Sequence, residues 1–139
     1  MTLYVLDTDH LSLNLRGHPQ VRERLAQISP DDLAITIITA EEQLRGRLAQ
    51  VRKAITGDTR SIAYQFLRKA IIDLAKLNIL DYEATSESIY QELQRQRLRV
   101  GSQDLRIAAV TLANHGVLIT HNRSDFSQVP GLTLEDWTI

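Results

Sequence analysis

Short apolar segments alternate with helical patterns along the chain, and this alternation restricts the fold more than any other feature of the sequence. The segments are short enough to be strands, and they cover residues 3–6, 33–38, 78–81, 117–120 and 132–134. Between them, apolar side chains recur every three or four positions, which is the period of an amphipathic helix. Alternating strands and helices form a parallel sheet with helices on both faces. We therefore predict an α/β fold, a three-layer α/β/α sandwich around a central, mainly parallel sheet.

The helical segments have recognisable ends. Pro19 opens the first of them, and Thr39 starts a second helix after the second strand. Two further helices are predicted over about 61–77 and 85–97 from the spacing of their apolar residues. Ser102 is a suitable N-cap for the last long helix.

The length and composition indicate one domain, residues 1–139, and exclude several classes of protein. A chain of 139 residues buries about 68–70% of its unfolded surface, so it needs no disulfide or metal to fold. The absence of cysteine excludes thiol catalysis, thiolate zinc sites and disulfide frameworks. A net charge of −1 excludes a protein that binds nucleic acid over its whole surface. We expect a cytoplasmic protein, because no apolar run is long enough for a membrane span and no signal peptide is recognisable.

Acidic residues follow the predicted strands at several separate places. Asp7 ends the first strand, Glu41 and Glu42 follow the second, Asp104 lies in the first turn of the last long helix, and Asp125 follows the fourth strand. Because the carboxyl ends of parallel strands meet at one edge of the sheet, we expect these carboxylates to converge there. Taken singly, each is equally compatible with capping a helix or interacting with its dipole.

Convergence of the carboxylates favours a cation site over helix capping. Two carboxylates about 4 Å apart repel by about 4 kcal/mol at an effective dielectric constant of roughly 20. Oxygen ligands without cysteine select a hard ion, Mg²⁺ or Mn²⁺. Such an ion polarises a phosphodiester and lowers the pKa of a bound water. The predicted reaction is therefore metal-assisted phosphodiester hydrolysis.

Helix geometry distinguishes the adjacent Glu41 and Glu42. Relative to the apolar stripe that contains Leu44, Glu41 lies about 60° away and Glu42 about 160° away. Glu42 shares its face with Gly46 and Ala49, small residues that permit the close approach of a neighbouring element. We therefore predict that Glu42 points into the site. The apolar stripe either packs on the following helix or forms a groove for a subunit or partner.

Several motifs occur in a fixed order along nearly the whole chain. They are Tyr-Val-Leu-Asp-Thr-Asp at 4–9, Ile-Ile-Thr-Ala-Glu-Glu at 37–42, Gly-Ser-Gln-Asp-Leu-Arg-Ile-Ala-Ala at 101–109, Leu-Ile-Thr-His-Asn at 118–122, Val-Pro-Gly-Leu at 129–132 and Glu-Asp-Trp at 135–137. No single motif is specific, but the ordered set resembles that of the PIN-domain ribonucleases. The resemblance is to the VapC toxins of prokaryotic toxin–antitoxin pairs in particular.

The resemblance implies a divalent-metal endoribonuclease that forms homodimers and is inhibited by an antitoxin. Asp7, Glu42 and Asp104 match the core acids that hold Mg²⁺ (or Mn²⁺) in the family. The fourth catalytic position is open between Asn122, where many relatives have Asp, and Asp125, where other relatives have the acid. By resemblance, the substrate is a structured RNA such as tRNA or rRNA. In-line attack on the phosphorus would leave 5′-phosphate and 3′-hydroxyl ends.

Further side chains are predicted to contact the substrate. Thr8 matches a Thr or Ser that often follows the first acid in the family, and Asn122 follows the fourth strand. Arg123 comes directly after Asn122, and Arg16 follows the first acidic motif. Arginine suits these positions because its guanidinium contacts phosphate through two parallel hydrogen bonds. The arginines within 95–99 either contact RNA as well or form a solvated helix end.

Two other functions are compatible with the sequence. Residues 7–9 have the D-x-D form of haloacid-dehalogenase-type phosphatases, which also require a downstream catalytic lysine. The only lysines are Lys53, Lys69 and Lys76, and all lie in predicted helices. The second alternative is a fold kept for dimer or partner contacts without catalysis, which the open fourth acidic position motivates.

Overall fold

The structure, a computed structural model, describes residues 1–139 and contains one sheet of five strands. The strands are β1 Tyr4–Leu6, β2 Leu33–Thr36, β3 Ile79–Leu80, β4 Val117–Ile119 and β5 Thr133–Glu135. Their order across the sheet is β3-β2-β1-β4-β5, and every neighbouring pair is parallel. The predicted parallel sheet is confirmed, and all of its strands run in the same direction.

Seven α-helices flank the strands. They are α1 Thr8–Leu15, α2 Pro19–Ala26, α3 Ile37–Lys53, α4 Gly57–Ala75, α5 Ala84–Arg95, α6 Ser102–Ala113 and α7 Arg123–Phe126. A 3₁₀ turn at Pro30–Asp32 leads into β2. None of the helices combines the length and the apolar character that crossing a membrane requires.

The boundary between β2 and α3 differs from the predicted one. The strand ends at Thr36 and the helix begins at Ile37, whereas we predicted a strand to residue 38 and a helix from Thr39. The hydroxyl of Thr36 accepts a hydrogen bond from the amide of Thr39 at 3.1 Å and caps the helix. This cap starts the helix earlier than the apolar pattern indicates.

Three other helix ends differ from the prediction for local reasons. α4 begins earlier, at Gly57, because a reciprocal capping box forms at its first turn. α5 ends earlier, at Arg95, and Arg97 then adopts left-handed backbone with φ 53°. Ser102 is the first residue of α6, and Gly101 occupies the N-cap without a side-chain hydrogen bond.

The side chains of the central strands alternate between two cores, one on each face of the sheet. Val5 and Leu118 pack in the core formed with α5 and α6. Leu6 and Ile119 point to the opposite face and pack in a second core with α1, α2 and Trp137. Burial on both faces explains why the strands are almost continuously apolar. This arrangement confirms the three-layer α/β/α sandwich.

The strand order creates a crevice at the carboxyl ends of β1 and β4. From β1 the chain continues to β2 and β3 on one side, and later to β4 and β5 on the other. At such a reversal the connections leave in opposite directions, and α/β proteins bind ligands in the crevice that results. The residues that follow β1, β2 and β4 therefore define the candidate site.

Gly116, just before β4, lies against β1 with little room for a side chain. A Cβ there would stand 3.0 Å from Val5 Cγ2 and 3.3 Å from the carbonyl oxygen of Leu3. That oxygen also accepts a hydrogen bond from the amide of Val117 at 2.8 Å, so it is fixed by the sheet. We expect Gly116→Ala to lower the free energy of unfolding by about 1–3 kcal/mol, measured by urea unfolding.

Gly46→Ala is the matched control for this prediction. Nothing lies within 4 Å of the position that its Cβ would take. In the interior of α3, alanine should raise the free energy of unfolding by up to about 1 kcal/mol. A Gly116→Ala variant as stable as the wild type would contradict the close packing of β1 against Gly116.

Candidate functional site

Asp7 lies where β1 meets α1, at the crevice between β1 and β4. Its amide donates to the carbonyl of Ile119 at 3.0 Å, which extends the pairing of the two strands. Its side chain caps α1, with Oδ1 accepting from the amide of His10 at 2.8 Å. Asp7 is only 5% exposed. The Asp7 carboxylate therefore caps α1 and also lies at the candidate site.

Glu42 and Glu41 point in different directions from α3. The Thr8 hydroxyl donates to Glu42 Oε1 at 2.6 Å and holds this carboxylate beside the start of α1. Glu41 instead pairs with Arg45 at 2.8 Å and accepts from Gln103 Nε2 at 3.2 Å. The structure thus places Glu42 beside the first acidic motif and Glu41 outside it.

Gly46 does not pack against a neighbouring element, so this part of our interpretation is wrong. Its Cβ position is open, and the residue lines a cavity that also contains Glu42. Longer polar side chains connect α1 and α3 here, because Gln43 Nε2 donates to Ser12 Oγ at 2.8 Å. The small residue therefore leaves space beside Glu42 instead of allowing a close contact.

Asp104 lies in the first turn of α6, and the other acids affect its pKa. Its pKa is raised to about 6, first because burial disfavours the charged carboxylate and then because nearby carboxylates repel it. In decreasing order of effect, these carboxylates belong to Glu42, Asp7, Asp125 and Asp9. The predicted acids therefore share one electrostatic field, although no three of them are close enough here to form a complete metal-binding group.

Asn122 and Asp125, the two alternatives for the fourth position, contact each other. Asn122 Nδ2 donates to Asp125 Oδ2 at 3.0 Å. Asn122 is itself held by Ser124, whose hydroxyl donates to Oδ1 at 3.2 Å, and by Thr120, whose Oγ1 accepts from its amide at 2.9 Å. The amide thus orients the carboxylate, and the two residues form one unit after β4.

His10 is a buried neighbour of Asp7 to which the sequence patterns assigned no role. Its side chain is fully buried, and Nδ1 lies 3.3 Å from Asp7 Oδ1 without hydrogen-bond geometry. Nε2 accepts from the amide of Trp137 at 3.3 Å. A neutral ring with Nε2 as acceptor carries its proton on Nδ1, so the edge that faces Asp7 is a donor.

Asp136 connects the C-terminal segment to two histidines near the site. One oxygen lies 2.8 Å from His121 Nδ1, and the other lies 3.7 Å from His10 Nε2. Burial acts to raise the pKa of Asp136, but hydrogen bonds from Thr138 and His121 outweigh it and lower the pKa to about 2. The Glu-Asp-Trp motif at 135–137 was the signal in the sequence that could have identified this residue.

The predicted RNA-contacting arginines lie at separate places. Arg123 opens α7 directly after Asn122 and is exposed. Arg16 follows the last turn of α1 and lines a cavity between α1, α3 and α4. The arginines at 95–99 do not share a helical face, because α5 ends at Arg95 and Arg97 is left-handed.

The donors at this edge of the sheet fit a hard divalent cation. They are carboxylate oxygens, and no lysine or arginine forms an ion pair with Asp7, Glu42, Asp104 or Asp125. Burial and then the neighbouring carboxylates raise the pKa of Asp104, as expected where no cationic side chain offsets the negative charge. Such oxygen ligands suit Mg²⁺ or Mn²⁺.

Comparison with known protein families matches residues 4–132 to the PIN domain. The chain belongs to the PIN-domain family. Among its relatives, ribonuclease VapC1 of Haemophilus influenzae (strain R2866) is 28% identical over 138 residues, which cover 98% of this chain and 98% of the relative. The tRNA(fMet)-specific endonuclease VapC of Salmonella typhimurium is 27% identical over 144 residues, which cover 99% of each chain.

Solved structures agree with this assignment of the PIN domain. VapBC-1 from nontypeable Haemophilus influenzae superposes with a TM-score of 0.79 and 26% identity, over 99% of this chain and 100% of that chain. VapBC from Salmonella typhimurium, solved bound to DNA, gives a TM-score of 0.78 and 25% identity, over 99% of each chain. The resemblance to VapC-type PIN domains is therefore confirmed.

Asp104→Asn should stabilise the metal-free protein at about pH 8 and have little effect at about pH 4. The folded-state pKa of about 6 lies above the ordinary value of 3.8, so the native state binds this proton more tightly than the unfolded state does. The penalty of the charged carboxylate is complete above the folded pKa and disappears as the pH falls below the unfolded pKa. Thermal unfolding in EDTA at both pH values measures the difference.

Glu41→Gln is the control, because Glu41 lies next to Glu42 in the chain but pairs with Arg45 on the exposed face. It should show no stabilisation at either pH. If Asp104→Asn stabilised the protein equally at both pH values, neither burial of the charged carboxylate nor repulsion by its neighbours would be the cause.

Proposed function

We propose that this PIN domain is a Mg²⁺- or Mn²⁺-dependent endoribonuclease that acts as the toxin of a toxin–antitoxin pair. The observation that carries the proposal is that the charges of Asp7, Glu42 and Asp125 act together on Asp104, while no lysine or arginine forms an ion pair with any of the four. Relatives named ribonuclease VapC1 and tRNA(fMet)-specific endonuclease VapC, matched over almost the whole chain, support nuclease activity.

The mechanism assigns a separate task to each side chain of the site. Asp7, Glu42 and Asp104 would hold the divalent ion, which supplies Lewis-acid polarisation of the phosphodiester and a more acidic water. Thr8 fixes the orientation of Glu42 through its 2.6 Å hydrogen bond. The in-line cleavage that we propose leaves 5′-phosphate and 3′-hydroxyl ends.

Residues after β4 complete the proposed site. Asn122 orients the Asp125 carboxylate through a hydrogen bond. The charge of Asp125, like those of Asp7 and Glu42, acts to raise the pKa of Asp104. Arg123, exposed at the start of α7, is placed to contact a phosphate of the substrate. We propose tRNA as the substrate class, because one similar relative is named for cleavage of tRNA(fMet).

We further propose that the chain forms a homodimer and binds a cognate antitoxin. Similar solved structures are VapBC complexes, and one is named a toxin–antitoxin complex. Exposed apolar side chains on α3 and α4 support a protein partner, since Leu48 is 45%, Ile62 51% and Phe66 44% exposed. The predicted stripe on α3 is thus divided, because Leu44 packs against the core while Leu48 stays accessible.

The two alternative functions have less support. A phosphatase of the D-x-D type needs a lysine at the site, but Lys53 ends α3, Lys69 pairs with Asp73, and Lys76 caps the end of α4. A module without catalysis does not explain why four acids converge without a counter-ion. The nuclease proposal accounts for that convergence directly.

Cleavage of total cellular RNA by the purified chain, with and without Mg²⁺ or Mn²⁺, tests the proposal. Sequencing of the new 5′-phosphate ends identifies the substrate. We expect cleavage only with the metal, and Asp7→Asn and Asp104→Asn should each reduce the rate on the order of 10²–10³-fold, because transition-state charge loses its stabilisation. Glu41→Gln should cleave at the wild-type rate.

A second readout is independent of cleavage. Mn²⁺ should raise the melting temperature of the wild type and of Glu41→Gln but not that of Asp7→Asn, because only a protein that binds the ion is stabilised by it. Hydrolysis of a phosphomonoester with RNA left intact would contradict the nuclease proposal. The absence of all hydrolysis, together with tight binding of a small partner protein, would favour the non-catalytic module.

A further inference from the structure

A cleft leads away from the acidic site between α1, α3 and α4. Its inner part is a cavity of about 280 Å³ that contains Thr8 and Glu42. Its outer part is a cavity of about 290 Å³ that contains Arg16 and Lys69. Ser12, Gln43 and Arg47 line both parts, so the two cavities adjoin. We call the two cavities together the basic cleft.

Polar contacts and a glycine build the basic cleft. Gln43 Nε2 donates to Ser12 Oγ at 2.8 Å and connects α1 to α3, and both residues line both parts of the cleft. Gly46 has open space where a Cβ would point. The inner part is lined by no apolar side chain. These walls suit a polar, charged ligand.

The guanidinium of Arg47 is oriented before any ligand binds. It lies 5.1 Å from the centre of the Phe66 ring, and Nη1 donates to Gln50 Oε1 at 3.0 Å. Both contacts are to uncharged groups, so they fix the side chain and leave its charge available. Arg47 is also half-buried, which strengthens its interaction with an anion.

The outer part of the basic cleft has an excess of positive charge. Lys69 pairs with Asp73 at 2.8 Å, so these two charges largely cancel. Arg16 and Arg47 form no ion pair with any carboxylate. The net charge therefore changes from negative at Glu42 to positive at the two arginines.

We propose that the basic cleft binds the RNA phosphate adjacent to the one that is cleaved, with Arg47 and Arg16 as its ligands. This inference rests on the proposed ribonuclease function. Along α3, Arg47 lies five residues beyond Glu42, a rise of about 7.5 Å. A phosphate at the acids requires a cation between like charges, whereas a phosphate at the arginines meets guanidinium donors directly.

The test compares two charge-matched double variants on the same protein. Arg16→Gln/Arg47→Gln removes both ligands of the basic cleft. Arg52→Gln/Lys53→Gln removes two charges from the end of α3, outside the cleft. Binding of fluorescein-labelled total tRNA in EDTA is measured by anisotropy over a range of salt concentrations, and circular dichroism verifies that each variant is folded.

We expect the cleft variant to bind tRNA at least about tenfold more weakly at low salt, with a salt slope shallower by about 0.7–0.9, the value for one lost phosphate contact. The control variant should keep the wild-type slope. In cleavage assays, the cleft variant should change KM more than kcat. Equal loss in both variants would show diffuse attraction and overturn the proposal.

The remaining outcomes separate this proposal from the nuclease proposal. If the wild type binds tRNA through the cleft but cleaves no RNA, the nuclease proposal fails, and the cleft is a phosphate-binding site for RNA with no cleaved phosphate beside it. If the cleft variant binds and cleaves tRNA like the wild type, the cleft proposal fails and the nuclease proposal holds. Unchanged tRNA binding with weakened binding of a partner protein would reassign the cleft to that protein and overturn its role in RNA binding.

Discussion

Four carboxylates that repel one another lie where the strands of a parallel sheet end, and the rest of the structure has to hold them there. Asp7, Glu42, Asp104 and Asp125 come from four different elements, and their repulsion contributes to raising the pKa of Asp104 to about 6. Such a cluster opposes folding, so other interactions must offset it. Two cores, one on each face of the sheet, supply that stability through apolar burial.

Neutral donors hold three of the four acids. Asp7 accepts from the amide of His10, Glu42 accepts from the Thr8 hydroxyl, and Asp125 accepts from the side-chain amide of Asn122. Each contact fixes a carboxylate without neutralising its charge. The net charge of −1 therefore conceals an uneven distribution, with acids concentrated at the crevice and arginines free along the basic cleft.

The sequence predicted the elements better than their arrangement. The strands were recognisable because burial on both faces makes them continuously apolar, and helical angles were enough to separate Glu42 from Glu41. The order of the strands could not be predicted, because β1 pairs with both β2 and β4, which are distant from it in the chain. For the same reason the sequence concealed the open space at Gly46, the place of Arg47 in the cleft and the contact of Asp136 with His121. These are tertiary contacts with no local pattern.

If the repelling carboxylates form a cation site, a bound ion should be found among them. Crystals grown with Mn²⁺ show whether it is, because anomalous scattering locates the ion without any assumption about activity. We expect a strong anomalous peak among Asp7, Glu42 and Asp104 that is absent from crystals of Asp104→Asn. A peak at other residues, or no peak at a saturating concentration of Mn²⁺, would contradict it.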